Sequence, residues 1–70
     1  MSAYLVVIEG DGDSYSGYAP DLPGCVAGGD TPAEVTALMR EAIPLHVESL
    51  RAHGEPVPSP HTQVEYVEAV

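Results

Sequence analysis

Tyr18-Ala-Pro-Asp-Leu-Pro-Gly-Cys-Val-Ala-Gly-Gly-Asp-Thr31 decides the fold of this 70-residue chain. Tyr18 and Ala19 close a segment of strand character, and Pro20 and Pro23 stop it because proline withholds the donor that a ladder needs. Asp21 and Gly24 complete a run of turn formers, Gly24 by its freedom to take positive φ and Asp21 by bonding nearby backbone. Cys25, Val26 and Ala27 then form a short apolar stretch bounded by Gly24 and the Gly28-Gly29 pair, which reads as a strand. Thr31 opens a helix: it is a good N-cap, Pro32 takes the first helical position, and Glu34 completes a Thr-x-x-Glu capping box.

Upstream, residues 3–8 contain Tyr4-Leu-Val-Val-Ile8, with no helix cap before them. Apolar side chains at nearly every position predict a strand covered on both faces. Glu9-Gly-Asp-Gly-Asp-Ser14 is a turn. Residues 15–19 return as a second strand, with Tyr15 and Gly17 on one face and Ser16 and Tyr18 on the other.

Downstream, Val35, Met39, Ala42, His46 and Leu50 recur at helical spacing and define one buried face. Gly54 marks the stop. Pro44 interrupts the helix and leaves the Arg40 carbonyl without its donor, at a cost of about 3 kcal/mol if uncompensated. The apolar face continues in phase beyond it, so one bent helix is expected rather than two. Pro56, Pro58 and Pro60 make an extended linker. Residues 63–68 alternate polar and apolar and predict a last strand. The expected fold is α+β in the order β-β-β-α-β, a single domain.

A chain this short removes only about 60% of its unfolded surface on folding, so its core is marginal. Cys25 is the sole cysteine and has no partner within the chain. Oligomerisation is the remaining remedy, and a first strand apolar on both faces asks for a second cover. A homodimer or homotetramer is expected. The apolar run at residues 4–8 is too short for a signal core or a membrane span, which with one unpaired cysteine predicts a cytoplasmic protein.

Eleven Asp and Glu oppose two Arg and no Lys, for a formal charge of -9. Such a surface repels phosphate, so direct nucleic-acid binding by this chain is not expected. The same field attracts a basic protein.

Few side chains suggest chemistry. Glu9, Asp11 and Asp13 lack the further oxygen ligands and closing Glu of a calcium loop, and a hairpin turn explains them. Cys25 and His46 lie in no catalytic motif, and His46 on the apolar helix face reads as a hydrogen-bonded core histidine. No metal or cofactor is expected. Glu34, Glu41 and Glu48, seven apart, line one flank of the helix as a solvated stripe or as an acidic edge for a basic partner. Asp21 and Leu22, in the rigid turn, are further candidates for partner contact, although Asp21 suits equally the capping of its own turn.

Tyr18-x-Pro20-Asp-Leu-Pro-Gly-Cys25, Gly29-Asp-Thr31, Glu34, Arg40-Glu-Ala42, Leu45-His46 and Gly54-Glu-Pro56 stand in an order that resembles the HicB-like antitoxins, over roughly residues 4–66. Pro44 departs from that pattern. The resemblance implies a partial ribonuclease-H-like fold, with three antiparallel strands, a helix, and a last strand parallel to the first. It also implies a role in binding and masking HicA, a small basic toxin that cleaves mRNA with a histidine. Many such proteins add a C-terminal operator-binding domain; no basic segment here serves that purpose, and none is expected of this chain.

Two other functions compete. One is an orphan HicB-like oligomer with no toxin partner. The other is a degenerate ribonuclease-H-like nuclease, which would need carboxylates converging on metals near the strand ends. Here the acids sit in turns and along the helix flank, so the chain is not expected to be an enzyme.

Overall fold

A computed structural model describes residues 3–70. Strands β1 (Val7–Gly10), β2 (Tyr15–Tyr18) and β3 (Val26–Gly29) form an antiparallel meander in the order β1-β2-β3, followed by helix α1 (Pro32–Ala52).

β1 begins at Val7 rather than in the expected stretch from residue 3. Its partner β2 spans four residues, and Val7 pairs with Tyr18, the last of them. Beyond Tyr18 the Ala19 amide donates to the Cys25 carbonyl instead, so residues 3–6 have no ladder to join. β3 is displaced the other way. Gly28 and Gly29 lie within it, opposite Ser16 and Tyr15, and do not bound it.

The first hairpin closes through Asp11, whose Oδ1 accepts from the amides of Asp13 at 2.9 Å and Ser14 at 3.1 Å. The second connection is a double turn. Leu22 donates its amide to the Ala19 carbonyl, and Cys25 donates to that of Leu22, both at 3.0 Å. In the second turn Pro23 and Gly24 occupy the central positions, and Gly24 has φ of 86°. Proline followed by a residue of positive φ is the pattern of a type II turn.

α1 starts as the capping residues predict. Thr31 Oγ1 accepts from the Glu34 amide at 3.1 Å, while the Glu34 carboxylate reaches back to the Asp30 amide at 2.7 Å. At the other end Glu55 donates to the Leu50 carbonyl and Gly54 to that of Arg51, the paired bonds of a Schellman motif. The helix runs unbroken past Pro44.

Ala19, Leu22, Cys25, Val35 and Met39 are buried, and Tyr4, Val6, Ile8, Tyr15, Ala42, Ile43, Val47 and Leu50 pack around them. The helix lies chiefly on β3 and β2. It approaches so closely that a side chain on Gly17 would collide with Val35. His46 is half-buried beside Gly24, outside the buried cluster. The opposite sheet face leaves Tyr18 and Val26 exposed, so the expected cover on both faces of the sheet is not supplied by this chain.

The last strand is not seen. Residues 63–68 form no ladder, and their alternating side chains stand in solvent: Val64 is 56% exposed, Tyr66 99% and Val67 87%. Alternation describes a strand only where an edge receives it. Here the preceding segment is tied elsewhere, with the Tyr4 hydroxyl donating to the Pro58 carbonyl and residues 61–62 fastened to Asp21. The three-stranded meander and helix are therefore as expected; the parallel fourth strand that completes a partial ribonuclease-H-like sheet is absent among the described residues.

Candidate functional site

Two surfaces collect the residues singled out from sequence. The first is the β2–β3 turn. Leu22 is fully buried, and Asp21 is only 3% exposed. The Asp21 carboxylate caps neither its own turn nor a surface. It accepts from the backbone amides of His61 at 2.9 Å and Thr62 at 3.0 Å and from the Thr62 hydroxyl at 2.5 Å, and His61 Nε2 stands 3.1 Å from Oδ1. Hydrogen bonds from Thr62, then from His61, hold its carboxyl well below the usual range, at about 2. A buried carboxylate with this many donors is stabilised in its charged form. Asp21 is a clasp between the turn and the C-terminal segment. Its partners are forty residues away, and no local signal in the sequence points to them.

The second surface is the helix flank. Glu34, Glu41 and Glu48 are all exposed. Glu34 also serves the helix start through Asp30, whereas Glu41 and Glu48 enter no hydrogen bond or ion pair among the described residues. Since the helix turns once every 3.6 residues, residues seven apart stay within about 20° of one line.

The remaining candidates are taken up by the fold. Asp11 is used by its hairpin, and its carboxyl is lowered by the Asp13 and Ser14 amides. Cys25 is buried, and burial pushes its thiol up, away from the reactive thiolate. Among the described residues no group of three or more His, Cys, Asp or Glu is placed to hold a metal ion. No described helix is long and apolar enough to cross a membrane.

One feature escaped the sequence reading. Between the segment before β1 and the helix lie two adjoining hollows that share Tyr4 and Ile43, one extended by Val6 and Met39 and the other by Val47, Glu48 and Pro58. Arg40 lines one hollow and Arg51 the other. These are both of the cationic side chains counted in the chain, histidine aside.

A three-stranded meander with one helix, a turn that buries Asp21 and Leu22, and an acidic helix flank define a small α+β domain. Residues 4–70 match the model of the HicB-like antitoxin of bacterial toxin-antitoxin systems, and the chain belongs to that family. It is 34% identical over 64 residues to an uncharacterised 14.9 kDa protein of Haemophilus phage HP1, covering 91% of this chain and 48% of that protein. It is 41% identical over 56 residues to the UPF0150 protein Ta0767 of Thermoplasma acidophilum, covering 79% and 81% of the two chains. It is 43% identical over 56 residues to the UPF0150 protein ssr1765 of Synechocystis, covering 79% and 71%. The chain thus spans about half the length of the phage relative and most of the other two. No solved structure matches it.

Proposed function

We propose that the chain is an antitoxin that captures a small, basic, HicA-like mRNA-cleaving toxin in the cytoplasm and masks its RNA-binding surface. The observation that carries this reading is the exposed acidic flank of Glu34, Glu41 and Glu48 on a family member of formal charge -9. A surface built to hold phosphates is basic, and a rigid row of carboxylates competes for it by the same electrostatics, accelerating encounter and setting orientation. The chain performs no catalysis in this role. Glu41 and Glu48 make the contacts, with Glu34 contributing at the helix start. Asp21 and Leu22 serve the partner by holding the turn in shape.

Titration of the purified chain with a small basic HicA-like protein, at two salt concentrations, tests the reading. The expected result is tight binding that weakens with salt, together with blocked RNA cleavage. Replacing Glu41 and Glu48 by Lys lowers affinity and flattens the salt dependence. No binding at low salt removes the antitoxin assignment and leaves an orphan oligomer.

A further inference from the structure

We infer that the solvent-facing side of α1 docks lengthwise against an amphipathic helix of a basic protein, with Leu38 and Leu45 as its apolar anchors. The identity of that protein rests on the antitoxin function proposed above; the docking surface itself does not.

Glu34, Leu38, Glu41, Leu45, Glu48 and Ala52 follow one another at steps of four, three, four, three and four residues. Such steps average 3.5, close to the helical period, so the six side chains form one nearly straight stripe. The stripe lies within α1 and runs for about 27 Å. All six residues are exposed.

The two leucines do nothing for the fold. Val35, Met39, Ala42, Ile43, Val47 and Leu50 supply the side of α1 that packs inward. Leu38 and Leu45 stand outside that cluster, 43% and 65% exposed. A single exposed leucine is ordinary surface. Two in the same register, with carboxylates between them, repeat the pattern by which one helix recognises another.

Charge chooses the occupant. Both arginines line the hollows beside Tyr4, so the stripe carries carboxylates and no cation. A second copy laid against it would bring glutamate to glutamate, on a chain whose formal charge of -9 already resists self-association. A foreign helix with leucine or isoleucine facing Leu38 and Leu45, and lysine or arginine facing Glu41 and Glu48, satisfies both halves of the pattern. Its apolar side chains pack between those of α1 while the charges pair alongside. The glutamates then speed encounter and set orientation, and the leucines hold the register by contacts that salt does not screen.

Two probes titrated into the full chain, followed by amide NMR at two salt concentrations, test the proposal. One is a small basic HicA-like protein. The other is a peptide of the length of α1 with Leu and Lys at the same four-three spacing, compared with a scrambled isomer of equal charge. The ordered peptide is expected to bind at least about tenfold more tightly than its isomer and to gain helical circular dichroism. Leu38→Gln/Leu45→Gln should weaken both probes about tenfold or more while leaving the salt dependence as it was. Glu41→Lys/Glu48→Lys should flatten that dependence instead. Glutamine is a good helix former and both leucines are exposed, so the leucine variant alone should keep its helical circular dichroism. If the basic protein does not bind at low salt but the ordered peptide is still preferred to its isomer, the antitoxin function falls and the docking surface stands. Wild-type affinity of the leucine variant for a probe that the wild type binds overturns the docking surface, even where toxin binding persists. So does equal binding of peptide and isomer, or self-association of the wild type through Leu38 and Leu45. Failure of the wild type to bind either probe overturns both readings.

Discussion

The β2–β3 turn and the tail beyond Thr62 are joined by a single carboxylate and differ in almost everything else. In the turn, Ala19, Asp21, Leu22 and Cys25 are all buried, and three backbone bonds lock their positions. In the tail, Val64, Tyr66, Val67 and Val70 are exposed although they are just as apolar. Hydrophobicity alone did not separate them. The turn residues are apolar and locally constrained, because Pro20, Pro23 and Gly24 leave the chain few conformations and the survivors point inward. The tail is apolar and locally free. A strand draws its stability from neighbours that the chain must supply from elsewhere.

The largest test of this contrast is Leu22→Ala. Removing a fully buried leucine is expected to cost about 2–5 kcal/mol, a large part of what a domain of this size has in total. Urea unfolding measures it. A loss as small as that of a surface substitution would mean that the turn is not packed as described.

Gly24→Ala is the next in size. At φ of 86° an added Cβ strains the backbone, and the expected loss is about 1–2 kcal/mol. Its nearest obstacle, His46 Cε1, stands 3.8 Å from the added carbon, so the penalty is conformational rather than steric. A thermal melt that left stability unchanged would remove the type II assignment.

Asp21→Asn acts more locally, on the bond between the two regions. The amides of His61 and Thr62 are expected to lose hydrogen-exchange protection while those of α1 keep theirs. The pH dependence has a defined sign. The folded-state carboxyl titrates at about 2, below its ordinary value of 3.8, so its contribution is fully present above that ordinary value and is lost as pH falls toward 2. Protection of the two amides should therefore fade in that acid window in the wild type. In the variant it should be low throughout.

Val70→Ser should do the least. The side chain is fully exposed and lies past residues 63–68, so the change is expected to fall within about 0.5 kcal/mol. A larger loss in a urea titration would place the end of the tail against the folded part of a chain.

Much of this molecule is legible from residue order. Thr31, Pro32 and Glu34 announce the helix start, and the structure departs only in sending Glu34 back to Asp30 rather than to Thr31. Helical spacing places Val35 and Met39 on the buried face, and they are the most buried residues of the helix. Strand limits were harder to read, because Val7 and Gly29 owe their places to partners on β2 and no property of their own neighbours marks them. Of the candidate site, the acidic flank follows from seven-residue spacing on a helix. The fate of Asp21 does not, because a carboxylate between two prolines reads alike whether it caps its own turn, meets a partner or clasps a distant segment.

Sequence by itself determined the elements whose stabilising contacts lie within a few residues: the Asp11 hairpin, the Ala19–Cys25 double turn, the Thr31 cap and the helix that carries its apolar face past Pro44. Capping, turn geometry and helical periodicity are short-range, so local order is enough to specify them. Tertiary structure alone decided that Asp21 clasps His61 and Thr62, that both arginines border one groove, and that residues 63–68 find no edge on their own chain. Each of these depends on which distant groups arrive together, and a strand or a buried carboxylate takes its identity from the partner it meets.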